Sequence, residues 1–285
     1  MAPGAADAMT ARLAERAGFE AVYMTGAGTA LTRAGLPDIG LLTMTEMAGN
    51  AAAIAAAVAV PVIADADTGY GNALNVRRTV SEFERAGVAA IQIEDQVDPK
   101  RCGHLAGKQL VTIHAMTQKI RAACEARLDP DLIIIARCDG LVFSLEDTVR
   151  RGHAYVKAGA DALFIEELRT LEHCKAIAES FAVPLLYNMS ASGHTPFLTA
   201  HELQAMGFKI VIYPDFGILA TIKALSELLA ELQLTGSAKA LLDRCASWED
   251  YMALSGLPEM QALEERYGES RKDEPASAIP EPPAS

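Results

Sequence analysis

The reactive side chains of this chain concentrate in eleven residues, Glu94-Asp95-Gln96-Val97-Asp98-Pro99-Lys100-Arg101-Cys102-Gly103-His104. The stretch holds three acids, two cations, a thiol and an imidazole, and it follows the strand-like run 88–93. Carboxylates in such a cluster can hold a hard cation. Neighbouring positive charge can lower the pKa of a cysteine until it serves as a proton donor or nucleophile. Alone, Cys102 reads as a stray thiol in a solvated loop. The density of charge around it favours a reactive one.

A second group of acids stands at the end of the strand 60–64, in Asp65-Ala66-Asp67. Side chains at i and i+2 of an extended segment share a face. With Glu94 from the next strand and Asp38 from an earlier loop, four carboxylates could converge. Unpaired they would repel, and a divalent cation resolves the conflict. An all-oxygen shell favours Mg²⁺ or Mn²⁺ over zinc. Taken singly, Asp38 reads as a turn residue, and Asp65 and Asp67 as caps of the next helix. Arg137 also ends a strand, where its guanidinium suits bidentate binding of a carboxylate or phosphonate. A salt bridge to Asp139 or Glu166 fits that position nearly as well. Thr25-Gly26-Ala27-Gly28 offers backbone N–H groups in a tight turn, a candidate anion nest. Tyr23 closes an apolar run and reads from its position as packing. His194 sits in a polar loop, as a substrate contact or a turn residue. The other cysteines, Cys124, Cys138, Cys174 and Cys245, read as structural.

The elements that must position these residues alternate along the chain. Helical spacing covers 5–18, 74–86, 113–127, 145–158 and 219–232, and Thr43 and Glu46 have the spacing of a capping box that opens a helix running to about 58. Apolar strand-like runs fall at 20–24, 60–64, 88–93, 132–135, 162–165, 183–187 and 210–213. They are continuous rather than alternating, as in parallel sheets covered on both faces. Polar residues recur at their C-terminal ends, the pattern of a (β/α) barrel that builds its active site there. An open doubly wound sheet shares much of this signature, but no G-x-G-x-x-G follows the first strand. Only seven strands are evident; residues 1–4 read as a loop, so the expected first strand would precede Pro3. Further helical patterning reaches residue 267, and 270–285 has the composition of a disordered tail. The expected units are a catalytic barrel over 1–233, a helical extension over 234–269 and the tail.

Composition narrows the function. A net charge of -12 over 285 residues argues against nucleic acid or an anionic membrane as partner. Five scattered cysteines suit reduced thiols in a cytoplasmic protein better than a disulfide framework or a zinc site. The apolar run 51–64 is too short to span a bilayer.

The segment Asp98-Pro99-Lys100-Arg101-Cys102-Gly103-His104 resembles the Lys-Lys/Arg-Cys-Gly-His signature of the isocitrate lyase and phosphoenolpyruvate mutase superfamily. Ala64-Asp65-Ala66-Asp67-Thr68-Gly69-Tyr70-Gly71 is similar to its metal-binding strand end. Leu36-Pro37-Asp38, Ile93-Glu94-Asp95-Gln96, Ala136-Arg137 and the Asn188 segment follow in the family's order, so the likeness covers about 3–232. It implies a (β/α)8 barrel of the TIM type whose eighth helix is exchanged with a neighbouring subunit, in a homo-oligomer that is usually a dimer of dimers. It implies Mg²⁺ held by Asp65, with Asp38, Asp67 and Glu94 contributing through water. The cysteine-bearing branches are mainly carbon–carbon lyases and hydrolases, such as 2-methylisocitrate lyase, 2,3-dimethylmalate lyase and oxaloacetate hydrolase. Those two lyases generally carry a glutamate shortly after the asparagine. Here Asn188-Met189-Ser190-Ala191-Ser192 is closer to isocitrate lyase, where the hydroxyls meet a substrate carboxylate. Arg137-Cys138-Asp139 replaces the usual Arg-Thr-Asp.

The resulting expectation is a Mg²⁺-dependent lyase acting on a small 2-hydroxy di- or tricarboxylate. Cys102, Tyr23, Arg137, His104 and Lys100 carry the catalysis, with Tyr23 or a metal-linked carboxylate as base and Cys102 as proton donor. Thr25, Gly26, Ala27, Gly103, His104, Arg137, Glu166, Asn188, Ser190 and Ser192 contact substrate. An oxaloacetate-type carbon–carbon hydrolase or decarboxylase, a carboxyphosphonoenolpyruvate- or phosphonopyruvate-type phosphorus–carbon mutase, and a binding-only barrel are the competing readings.

Overall fold

The computed structural model describes residues 1–103, 105–192 and 194–268. The expectation of a disordered tail over 270–285 therefore lies outside the described residues, as does His104. By its internal contacts the chain divides into two units, Met1–Glu231 and Leu232–Ser285.

The first unit is a closed barrel of eight parallel strands in sequence order. In chain order it runs β1 (Ala2–Ala5), α1 (Ala8–Arg16), β2 (Val22–Met24), α2 (Gly26–Ala34), α3 (Met44–Ala57), β3 (Val62–Asp65), α4 (Ala73–Arg85) and β4 (Ala90–Glu94). It continues with α5 (Ile113–Ala126), β5 (Ile133–Cys138), α6 (Leu145–Ala158), β6 (Ala162–Ile165), α7 (Leu171–Ser180), β7 (Leu185–Asn188), α8 (Ala200–Met206), β8 (Ile210–Tyr213) and α9 (Phe216–Thr235). The division between the units falls within α9. Within the second unit, α10 (Trp248–Ser255) and α11 (Leu257–Tyr267) follow, and Trp248 stacks on Tyr251 with ring centroids 5.1 Å apart. No helix among the described residues is long and apolar enough to cross a membrane.

Strand alternation sorts every side chain. Ala2, Tyr23, Ile63, Ala90, Ile135, Ala162, Phe164, Leu186 and Ile212 fill the barrel interior. Their sequence neighbours, such as Met24, Ala64, Ile91, Ile134, Leu163 and Tyr187, pack outward among the helices. Two residues beyond an interior apolar position, the next inward side chain reaches the C-terminal mouth. Asp65 thus follows Ile63, Gln92 and Glu94 follow Ala90, Arg137 follows Ile135, Glu166 follows Phe164 and Asn188 follows Leu186.

Two local expectations are corrected. The first strand does not precede Pro3: it is β1 itself, paired to β8 through Ala2↔Ile212 and Pro3↔Tyr213 and to β2 through Gly4↔Tyr23. Proline and glycine are poor strand formers, so its pattern is silent; barrel closure imposes the conformation. Thr25 to Gly28 is not a tight turn but the start of α2, with the Thr25 hydroxyl accepting from Gly28 N at 3.3 Å. Helices α7 and α8, short and weakly patterned, also went unread, whereas the Thr43–Glu46 capping box is present.

Barrel closure gives a test. A Cβ on Gly4 would lie 2.2 Å from the Pro214 carbonyl oxygen, a contact that only backbone movement relieves. Gly4→Ala is expected to destabilise the barrel by about 1–3 kcal/mol, read as a lowered denaturation midpoint.

Candidate active site

At the mouth, a cavity of about 80 Å³ is lined by side chains from all around the barrel. It brings together Tyr23, Thr25, Ala27, Asp38, Asp65, Lys100, Cys102, Gly103, Arg137, Glu166, Asn188 and Ser190, twelve of the residues singled out from the sequence. Asp67 and Glu94 lie behind this lining, and Gly26 sits against the Asp65 carboxylate. Ser192 is exposed and does not line the cavity. Ser190, which does line it, is anchored to Asp215 at 2.8 Å.

The cysteine loop crosses the mouth and is tied at its base. Val97 N donates to Gln109 O at 2.7 Å and Val111 N to Asp95 O at 2.9 Å. The Gln96 amide holds the Arg101 backbone through both its oxygen, at 3.0 Å, and its nitrogen, at 2.9 Å. Lys100 folds inward to 3% side-chain exposure, donating to Asp38 and standing 2.9 Å from Asp67 Oδ1. Burial opposes that charge, but Asp67, Glu94, Asp38 and Asp65 outweigh it and hold the ammonium well above its usual pKa. Lys100 is therefore a fixed cation rather than an acid or base.

Arg137 realises the expected salt bridges and keeps its place at the cavity. Its Nε lies 3.0 Å from Asp139 Oδ2 and 3.2 Å from Glu94 Oε2, and Nη2 lies 3.2 Å from Glu166 Oε2. The pair Glu94↔Arg137 is set by the β4–β5 register. The guanidinium also stacks over the Phe164 ring, 5.2 Å from its centroid. Asp139 is itself steadied from behind: its N–H donates to Asp95, which accepts from Tyr155 at 2.6 Å and Arg151 at 3.2 Å.

The acids suit a hard cation. Asp65 Oδ1 accepts from Asp67 N at 3.0 Å and from Gln92 Nε2 at 3.4 Å. Asp67 Oδ1 and both Glu94 oxygens are buried and accept no hydrogen bond, although cations stand near them. Burial raises Glu94 well above the usual carboxylate range and, against the pull of Lys100, lifts Asp67 to about 6. A divalent ion would relieve both. Among the described residues no three acid, thiol or imidazole groups already form an ion-binding cluster. An ion here would accordingly complete its shell with water, as Mg²⁺ usually does.

Tyr23 does not suit the expected base. Its hydroxyl donates to Gln92 Oε1 at 3.1 Å, and burial, reinforced by Asp65, holds its pKa well above the usual tyrosine value. A group with a raised pKa stays protonated throughout the range below it, so Tyr23 is held as the neutral phenol. Tyr23→Phe is expected to slow turnover while leaving the alkaline limb of the pH–rate profile in place; a displaced limb would return tyrosine to the role of base. Gln92, Lys108 and Asp215 were missed. Gln92 was readable as the inward residue between Ala90 and Glu94, and Asp215 as a strand-end acid. Nothing in the local sequence marks Lys108.

A polar mouth of acids, one guanidinium and a thiol on a parallel barrel defines a small-molecule enzyme of the barrel class. The phosphoenolpyruvate phosphomutase family model matches residues 1–233, and the chain belongs to that family. It is 46% identical to a 2,3-dimethylmalate lyase of Eubacterium barkeri over 95% of this chain and 94% of that protein. It is also 46% identical to a 2-methylisocitrate lyase of Aeropyrum pernix, over 90% and 82% of the two chains. A crystal structure of 2,3-dimethylmalate lyase superposes with a TM-score of 0.90 at 41% identity, covering 95% of this chain and 91% of that one.

Proposed function

We propose that this protein is a Mg²⁺-dependent carbon–carbon lyase that cleaves a 2-hydroxy di- or tricarboxylate of the 2,3-dimethylmalate or 2-methylisocitrate type. The observation that carries this reading is the cavity itself: Asp65, Arg137 and Cys102, an acid, a carboxylate binder and a thiol, line one small space at the barrel mouth. The likeness to two named lyases supports the same reaction.

Asp65, with Asp38, Asp67 and Glu94 behind or beside it, would hold the ion. Mg²⁺, or Mn²⁺ in its place, would supply Lewis acidity to the oxygens of the oxo-acid half of the substrate. The protein's own groups divide the remaining work. The N-terminal turn of α2 lines the cavity at Thr25 and Ala27; the Thr25 N–H is taken by the Ala5 carbonyl at 3.2 Å, whereas the first N–H groups of the helix itself have no partner within the helix. Arg137, fixed by its three carboxylates, holds the carboxylate of the other half. A carboxylate of the acidic cluster takes the hydroxyl proton, since Tyr23 is held neutral. The bond between the hydroxyl-bearing carbon and its neighbour then breaks, the oxygen's electrons forming a 2-oxo acid. The bonding pair moves into the second acid as an enediolate beside Arg137. Cys102 delivers the proton that completes that acid.

Family membership also supports a homo-oligomer that exchanges α9. This helix buries none of its residues, and Leu219, Ile222, Leu225 and Leu229 stay about half exposed at helical spacing. The catalytic unit is taken as 1–233, the helices over 234–269 as an extension, and the location as cytoplasmic.

The test is 2-oxo acid release from a panel comprising 2,3-dimethylmalate, 2-methylisocitrate, oxaloacetate and phosphonopyruvate. Release from the first pair is expected with Mg²⁺, abolished by a chelator and restored by added metal. Activity confined to oxaloacetate would make the protein a hydrolase, activity confined to phosphonopyruvate a phosphorus–carbon enzyme. Binding without turnover of any substrate would make it neither.

A further inference from the structure

Lys108 lies outside the cavity around Cys102, yet its own loop and the ends of two further strands meet on its ammonium. It donates to the Gly103 carbonyl, to Asp139 Oδ1 at 2.9 Å and to Glu167 Oε2 at 3.4 Å, with 3% of its side chain exposed. Gly103 lies in the loop after β4, Asp139 directly follows β5 and Glu167 stands two residues beyond β6. Asp139 is also the residue that grips Arg137, at 3.0 and 3.3 Å. Gly103 packs directly on that guanidinium: a Cβ there would come within 2.5 Å of Arg137 Nη2 and 2.9 Å of the Glu166 carboxyl carbon.

Glu167 supplies the other half. Its φ is 62°, a left-handed conformation uncommon for a residue with a Cβ. The turn separates two successive glutamates. Glu166 faces Arg137 and Asn188, while Glu167 faces Lys108, Arg169 Nη2 at 2.7 Å and His194 Nδ1 at 3.1 Å. Glu167 therefore ties the ammonium to the loop that follows β7 as well. Charge-assisted bonds of this kind gain strength where water is excluded.

We propose that Lys108, oriented by Glu167, is a positioning residue that fixes the Cys102–Gly103 segment against the Arg137 guanidinium. The pair acts through other residues and touches no substrate. The assignment goes beyond the proposed cleavage, and its test requires no turnover, so the two readings can fail separately.

The experiment follows alkylation of Cys102 by iodoacetamide in the full chain, peptide by peptide, with the exposed Cys245 as internal reference. Glu167→Gln and Lys108→Met are each expected to speed Cys102 modification several-fold relative to Cys245, and Lys108→Arg to leave it near the parent rate. The two variants change local charge in opposite senses. Loss of Glu167 favours the thiolate and loss of Lys108 disfavours it. A positional effect accelerates both; a purely electrostatic one accelerates the first and slows the second. Opposite responses would overturn the proposal, as would unchanged rates in both variants. Cys245 accelerating in step would also overturn it, since that marks general loosening.

Discussion

Cys102→Ser is expected to lower turnover by roughly 10²–10⁴, the usual contribution of a placed general acid, with substrate affinity little changed. The cavity places the Cys102 side chain in one lining with Arg137 and Asp65, where a carbanion produced by cleavage would form. Serine is close to cysteine in size, so the lining survives the exchange. Its hydroxyl, however, is a far weaker acid than a thiol and delivers a proton poorly to carbon. The loss should therefore appear in kcat and kcat/KM together, the signature of an interaction made only in the transition state. A raised KM at unchanged kcat would recast Cys102 as a binding group. Full turnover by the variant would remove it from the chemistry.

Much of this site was legible because a parallel barrel converts sequence position into spatial position. Asp65, Glu94, Arg137, Glu166 and Asn188 each end a strand, and strand ends of one sense must gather at one mouth. Asp38 and Lys100 come from loops; the density of charge in its segment marked Lys100, whereas Asp38, alone in an apolar loop, was marked by the family resemblance of Leu36-Pro37-Asp38. What escaped were features whose meaning depends on distant partners. Strand β1 is strand only because β8 and β2 flank it; its Pro3-Gly4 pair argues for a loop until Pro214 is seen pressed against Gly4. Tyr23 reads as packing from its position, and its hydroxyl's partner Gln92, with the burial that raises its pKa, comes from the folded barrel. Lys108 is an ordinary loop lysine until Asp139 and Glu167 arrive from the next two strands. Ser190 and Ser192 look equivalent in sequence, yet only the first lines the cavity, anchored to Asp215. Helix α9 shows only helical spacing in the sequence, its exchange being an implication of the resemblance, and its unburied apolar stripe emerges in the folded chain.

Arg137→Met is expected to cost both stability and activity, and the balance between them separates two functions of one side chain. The guanidinium faces three carboxylates, Glu94, Asp139 and Glu166, each no more than 1% exposed in its side chain. Asp139 depends on it: burial alone would raise that carboxyl, and Arg137 with Lys108 instead holds it below the usual value. Such a carboxylate contributes stability that is present above its unfolded pKa and lost as pH falls through the depressed folded one. Removing the cation strands buried negative charge, at a cost of about 3–5 kcal/mol near neutral pH. For a unit of this size that corresponds to a melting-temperature loss on the order of 10 °C. The deficit should shrink on acidification, as the stranded acids take up protons instead of remaining charged. Arg137→Lys keeps the charge but not the fork, so most of the stability should survive while bidentate grip on a substrate carboxylate is lost. The lysine variant is accordingly expected to stay folded and lose at least tenfold in kcat/KM. Equal activity in the lysine variant and the parent would confine Arg137 to a structural part, and an unaltered melting temperature in the methionine variant would show that the three acids do not depend on it.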